Sequence, residues 1–287
     1  MQQKKDIDFS AIKALALDLD GTTLLPAGEL GERTALRLRQ LAARGIRLIV
    51  CTGRAAESSR RFCEAMGAQG PMVFFNGAFV AEMPSGKPVA FDLLPFDVVE
   101  HGASIGRDMG VHFQAFFPPP GNSEDGRFRL VIEKPCPEAD FYNKHTGMPA
   151  ITADFKEFFA EPGLRGAAKT MFITSDPAAH EEIRERMHGR FGDSICMTRT
   201  HPAFLETLNA GVSKGAGLET VMKLAELDPS EVIAFGDEEN DLPLFAAAGF
   251  SAAPSSAREK VREAADFVFG PNEQEGLAAF LEEMFGL

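Results

Sequence analysis

The chain has 287 residues, with 29 Lys and Arg against 42 Asp and Glu and a formal net charge of −13. That balance argues against a nucleic-acid backbone as partner, which needs a basic surface. It leaves small phosphorylated substrates open, because one lysine and one metal ion at a site outweigh a distant surface field. A hydrophobic fraction of 45% excludes a disordered chain, and the length suits one large domain or two smaller ones.

Ile12 to Leu19 is a short apolar run that predicts a buried strand ending in Asp-Gly-Thr. Leu30 to Arg44 has helical spacing, with Leu30, Thr34, Leu38 and Leu41 on one face and Gly45 as the stop. Ile46 to Cys51 predicts a second strand ending in Thr52-Gly53-Arg54. Ala55 to Met66 predicts a helix closed by Gly67, and Met72 to Asn76 a third strand with Asn76-Gly77 as its turn. Strands alternating with helices imply a parallel sheet with right-handed crossovers.

Between about Glu82 and His201 the rhythm changes. Strands are expected at Val111–Phe117, Phe128–Glu133 and Lys169–Thr174, and helices at Val98–Met109, Thr152–Phe159 and Pro177–Phe191. Pro118 to Gly126 reads as an exposed loop between two strands. The block reads as an inserted α+β domain. After His201 the first rhythm returns. A helix is expected at Lys214–Leu227, a strand at Val232–Phe235 ending in Gly236-Asp237, and helices at Asp241–Ala248 and Ser256–Ala265. A short strand at Phe267–Phe269 and a closing helix at Gln274–Phe285 complete the chain.

The four cysteines (Cys51, Cys63, Cys136 and Cys196) form no C-x-x-C pair, which disfavours zinc or a redox dithiol and fits a reducing cytoplasm. Met1 to Ser10 is polar, without the apolar core of a signal peptide. Apolar runs fall well short of the roughly 20 residues that span a bilayer. A cytoplasmic protein with no membrane partner is expected; oligomeric state is unreadable.

The chemistry-bearing residues gather at strand ends, where open parallel sheets bind ligands. Asp18 and Asp20 are two apart, so extended backbone points both side chains the same way, and Gly21 lets the chain turn. Side-by-side carboxylates repel each other without a cation. Thr52-Gly53-Arg54 offers a hydroxyl and backbone N–H groups to a phosphoryl oxygen, or simply a helix cap. Lys214 opens a helix, on the wrong side for its dipole, which suggests an anionic partner. Gly236-Asp237-Glu238-Glu239-Asn240-Asp241 brings two more aspartates to the same edge. A cluster of Asp18, Asp20, Asp237 and Asp241 calls for a divalent cation, and all-oxygen ligation suits Mg2+.

The ordered set D-L-D-G-T, T-G-R, V-S-K-G and G-D-E-E-N-D, with N-G-A at Asn76 to Ala78, resembles the Cof-like branch of the haloacid dehalogenase superfamily of phosphohydrolases. The resemblance covers nearly the whole chain. It implies a Rossmann-like doubly wound parallel α/β core over residues 1–83 and 202–287. Residues 84–201 would be an inserted α+β cap of the second type, hinged near 82–86 and 198–204. It implies a phosphatase for a small phosphorylated metabolite, a sugar phosphate first, working through an aspartyl-phosphate with Mg2+. Asp18 would be nucleophile and metal ligand. Asp20 would be general acid and base, and would bind Mg2+ through its carbonyl. Lys214 would neutralise charge on the phosphate and on Asp18, and Asp237 would ligate the metal. Asp241 would support the metal. Leu19, Thr52, Gly53, Arg54, Asn76 and Asn240 would attend the phosphate. The segment Ala252-Ala253-Pro254-Ser255-Ser256-Ala257 departs from the Gly-Asn-Ala often found there in the family.

The same core would also serve a phosphotransferase or phosphomutase, or a silent binding protein. His101, His112, His145, His180, His188 and His201 show no metal-ligand spacing and read as surface or cap residues. The Phe-rich runs Phe113–Phe117 and Phe155–Phe159 read as cap core. Residues facing the substrate from the cap are sought in Phe113–Arg129 and near Lys169.

Overall fold

The computed structural model describes residues 2–3, 7–118, 127–160 and 163–287. Contacts divide the chain into a first unit of Met1–Gly53, Ser59–Ser85 and Ser213–Leu287, and a second of Arg54–Ser58 and Gly86–Val212.

The first unit begins with β1 (Ala14–Leu17), α1 (Glu32–Ala43), β2 (Arg47–Val50), α2 (Ala56–Met66), β3 (Gly70–Phe74) and β4 (Phe79–Met83). All four side chains of β1 are buried, as in a strand covered on both faces. It is shorter than the apolar run Ile12–Leu19 suggested, because the chain leaves the strand for a turn after Asp18. Helix α1 buries Thr34, Ala35, Leu38 and Leu41, the stripe expected from 3.6-residue spacing. Strands β3 and β4 form an antiparallel hairpin, tied to the end of β2 by a parallel bridge between Cys51 and Val73.

The second unit holds β5 (Lys87–Phe91), α3 (Phe96–Met109), β6 (His112–Phe117), β7 (Arg129–Ile132), α4 (Pro137–Thr146), β8 (Ala150–Thr152), α5 (Phe155–Phe159), β9 (Lys169–Ile173), α6 (Pro177–Phe191), β10 (Ile195–His201) and β11 (Phe204–Asn209). Its six-stranded sheet runs β10-β11-β9-β6-β7-β8, antiparallel except for the β7–β8 pair. Helices α3, α5 and α6 cover one face over a core that includes Val99, Phe113, Phe117, Phe155, Phe172 and Ile183. The two Phe-rich runs supply much of that core. The alternate strand positions Gln114, Phe116, Lys169 and Glu206 are also buried. Lys169 there donates to Glu206 at 2.6 Å, and Tyr142 of α4 packs on Phe116 and Phe204. Strand β11 is hydrogen-bonded between β9 and β10, so residues 202–212 fall in this unit, beyond the boundary at 201 expected from sequence. Of the loop expected at 118–126, residues 119–126 lie outside the described residues.

The chain returns to the first unit with α7 (Lys214–Ala225), β12 (Val232–Phe235), α8 (Leu242–Ala247), β13 (Phe250–Pro254), α9 (Glu259–Ala264), β14 (Phe267–Phe269) and α10 (Gly276–Phe285). The parallel strands run β14-β13-β12-β1-β2, with Gln2–Gln3 paired antiparallel at the β14 edge. The central register sets Ala14 against Val232 and Leu17 against Phe235 on one side, and Leu17 against Val50 on the other. The carboxyl ends of β1, β2 and β12 therefore lie level, as a parallel α/β sheet requires of its ligand edge. Among the described residues no helix is long and apolar enough to cross a membrane.

Candidate active site

At the end of β1, the Asp18 N–H still donates to Phe235 O at 3.0 Å, which seats the residue at the sheet edge. The chain then turns over Asp20 (φ −73°, ψ 129°) and Gly21 (φ 77°, ψ −15°), the dihedrals of a type II turn with glycine at its required third position. Asp18 (φ −68°, ψ 154°) and Asp20 both keep the extended dihedrals expected of them, and the reversal comes at Gly21. Asp18 is buried and Asp20 exposed. Thr23 Oγ1 donates to Asp18 O at 2.5 Å and Thr22 Oγ1 to Asp237 Oδ1 at 2.8 Å, so the turn ties two acidic residues together. Gly21 is needed twice over, since a Cβ there would lie 2.1 Å from Asp237 Oδ2.

After β2, the fully buried Thr52 donates its N–H to Val73 O at 2.9 Å and accepts at its carbonyl from Asn76 N at 3.0 Å. Phe75 and Asn76 occupy left-handed backbone (φ 49° and 57°), which asparagine tolerates better than most residues. The Asn76 Oδ1 accepts from Asn240 Nδ2 at 3.0 Å, joining the loop after β3 to the loop after β12. Gly77 follows at φ 107°, and a Cβ on it would lie 2.2 Å from the backbone oxygen of Ser213. Gly77→Ala is expected to lower unfolding free energy by about 2 kcal/mol or more, from positive-φ strain and displaced backbone. Urea denaturation checks this, and an unchanged midpoint would contradict the packing.

Lys214 is the first residue of α7. Its predecessor Ser213 caps the helix by accepting from Ala216 N at 3.1 Å. The lysine is 2% exposed, and its Nζ donates to Asp18 Oδ1 at 2.6 Å and Asp241 Oδ1 at 2.7 Å. A cation against the helix dipole is therefore offset by two carboxylates. Asp241 is fully buried, and its second oxygen accepts from the N–H groups of Asp237 and Glu238 at 2.9 and 3.1 Å. It thereby fixes the loop that carries Asp237.

Asp18, Asp237 and Asp241 each present an oxygen within 4.8 Å of the others. One ammonium cannot balance three carboxylates. Burial, the larger effect, raises the Asp18 carboxyl well above its usual range against the pull of Lys214, and the neighbouring carboxylates raise it further. Burial and Asp241 push Asp237 up to about 7. Burial presses Lys214 toward its neutral form, but Asp18 and Asp241 outweigh this and hold the ammonium above its ordinary value. Hard oxygen donors carrying surplus negative charge fit a divalent cation such as Mg2+.

The first unit thus brings together, from separate parts of the chain, Asp18, Thr52, Asn76, Lys214, Asp237, Asn240 and Asp241. Gly53 lies beside Asn76, where a Cβ would sit 3.1 Å from its Oδ1. Leu19 is fully buried. The Asp20 carboxylate does not join the acidic group. Arg54 belongs to the second unit, where it lowers the proton affinity of Tyr142 against the larger effect of burial. Sequence reasoning missed Thr22, whose place two residues beyond Asp20 marks it as part of the turn but does not reveal a partner beyond residue 230.

The sequence profile of the haloacid dehalogenase-like hydrolases matches residues 15–281. A 5-amino-6-(5-phospho-D-ribitylamino)uracil phosphatase of Bacillus subtilis, YitU, is 28% identical over 276 residues, covering 95% of this chain and 97% of its own. A haloacid dehalogenase-like hydrolase from Bacteroides thetaiotaomicron superposes with TM-score 0.82 at 25% identity, over 96% of this chain and 100% of its own. A protein of Thermotoga maritima does so with TM-score 0.79 at 26% identity, over 95% and 97%.

Proposed function

The chain belongs to the haloacid dehalogenase-like hydrolase family, and from that premise we propose that it is a Mg2+-dependent phosphatase of small phosphate monoesters, with Asp18 as nucleophile. The observation that carries this reading is Lys214 held between Asp18 and Asp241, with Asp237 close by: one cation among three carboxylates. Such a cluster accepts a phosphoryl group only when its own negative charge is offset.

Lys214 engages Asp18 through Oδ1, leaving Oδ2 to attack phosphorus in line with the leaving oxygen. Lys214 also offsets charge on the transferring oxygens. Thr52, Asn76 and Asn240, held by their mutual hydrogen bonds, position those oxygens, with the backbone at Leu19 and Gly53. Asp20 is exposed and only two residues from Asp18, so it can protonate a leaving alkoxide and then take a proton from the water that cleaves the aspartyl-phosphate. Asp18, Asp237 and Asp241, with the Asp20 carbonyl, would hold Mg2+, which when bound supplies charge neutralisation and orientation at the phosphoryl group.

A sugar or polyol phosphate is the first choice of substrate, supported by the phosphorylated ribityl chain in the name of the Bacillus relative. Phosphate release without an added acceptor distinguishes hydrolysis from phosphotransfer. Mg2+ at about a hundred times its Kd is expected to stabilise the fold by about 2.7 kcal/mol, reversibly with EDTA. A melting temperature indifferent to both, with EDTA-resistant phosphate release, would refute the metal assignment. A screen of phosphorylated metabolites with Mg2+ then ranks the substrates.

A further inference from the structure

His112 lacks metal-ligand spacing in the sequence, yet in the second unit it stands between a thiol and a carboxamide. Its Nδ1 lies 3.0 Å from Cys136 Sγ and its Nε2 lies 3.0 Å from Gln114 Oε1. Gln114 is fully buried, and its Nε2 donates to Met171 Sδ at 3.5 Å, which turns Oε1 toward the imidazole. Oε1 can only accept, so Nε2 carries the ring proton and Nδ1 offers its lone pair to the thiol. A nucleophile, a base, and a third group that fixes the base's tautomer make the arrangement of an activated thiol.

Cys136 is also the N-cap of the ten-residue helix α4, and Sγ accepts from Ala139 N at 3.4 Å. That N–H favours sulfur as it gains negative charge. Burial is the larger effect on both groups: it raises the Cys136 thiol, as the neighbouring Glu138 carboxylate also does, and lowers His112 against the pull of Gln114 and Glu138. The thiol and the imidazole border a cavity of about 290 Å³ that also touches Arg107, Lys134 and Glu138. Both side chains are half-buried and so remain reachable. Cys51 and Cys63 are fully buried, and Cys196 is exposed.

We propose that Cys136, His112 and Gln114 form a thiol site that captures small disulfides as a mixed disulfide on Cys136. The Cys136 proton moves to His112 Nδ1 as Sγ attacks one sulfur of the reagent. The new S–S bond forms as the reagent's bond breaks, and the departing thiolate takes the proton from His112. Cys136 is oxidised and half of the reagent is reduced, so atoms and electrons balance. Cys136 is the nucleophile and His112 its base; Gln114 is a positioning residue. The site stands independently of the phosphatase reading.

The test treats the full-length wild-type protein with 2-hydroxyethyl disulfide at pH 7 and follows each cysteine by peptide mass spectrometry after acid quenching. Exposed Cys196 is the reference within the same molecule. Cys136 is expected to react about tenfold faster than Cys196 despite its burial, and His112→Ala to slow it by about tenfold or more, as loss of a positioned base does. Added imidazole should restore part of that rate by entering the vacated space. Gln114→Glu should keep the rate, since it preserves an acceptor for Nε2–H, while Gln114→Leu should lose it. A wild-type Cys136 no faster than Cys196 would overturn the proposal without recourse to any variant. So would an unchanged rate in His112→Ala, or a folded His112→Ala that ignores imidazole.

Discussion

Asp18→Asn is expected to lower phosphatase turnover by at least about a thousandfold, because the carboxamide is a poor nucleophile. The fold should survive. Lys214 keeps its 2.7 Å bond to Asp241, and Asn retains an oxygen to accept from Nζ. Removing one of three crowded carboxylates also relieves repulsion, so in EDTA the variant should melt no lower than wild type and even somewhat higher. Turnover of p-nitrophenyl phosphate and thermal melting measure the two halves separately. Activity within tenfold of wild type would remove Asp18 from its role; a lower melting temperature in EDTA would show that its ion pair outweighs the crowding.

Lys214→Met should harm both stability and chemistry. Among the described residues the lysine is the sole cation donating to Asp18 and Asp241, and its replacement leaves two buried carboxylates without it. Removing one partner of such a buried pair costs about 3–5 kcal/mol. Urea denaturation in EDTA reads that loss. Adding Mg2+ should recover part of it, because a divalent ion offsets the same carboxylates. Asp241→Asn in the same chain should recover part as well, by deleting one of the stranded charges. Phosphate release should stay low even with Mg2+, since the transferring oxygens lose their counter-charge. A variant within 1 kcal/mol of wild type, the figure for an exposed pair, would mean that the cluster is not built around this lysine.

The core was readable because its chemistry stands at the ends of short apolar strands. Asp18, Thr52 and Asp237 each stand at the end of a run of apolar residues, and a glycine within three residues of each (Gly21, Gly53, Gly236) marks the turn. What escaped was information held in distant partners. Glu206 lies in a buried position of β11, where a carboxylate contradicts a strand pattern; its partner, Lys169, lies 37 residues earlier. The strands β10 and β11 were therefore not foreseen. Strand β13 reads Phe-Ser-Ala-Ala-Pro, composed mostly of residues that are poor strand formers, yet it is paired on both sides and so nearly all buried. Helix α4 has weak periodicity and an unusual cysteine cap, so the signals that mark its start reduce to Pro137 and the acidic Glu138 and Asp140 of its first turn. The reversal at Gly21 was legible in the glycine itself, whereas the difference in burial between Asp18 and Asp20 was not.

The middle of the parallel sheet carries a consequence for synthesis. Ala14 pairs with Val232, so the two central strands come from opposite ends of the chain. On a ribosome the opening segment emerges long before its neighbour exists, and its apolar strand must wait. The intervening block, whose six-stranded sheet is built from its own strands, can close first. Nascent chains stalled before residue 232 should thus carry a protease-resistant middle and a sensitive beginning, and the acidic cluster can assemble only once translation has passed Asp241.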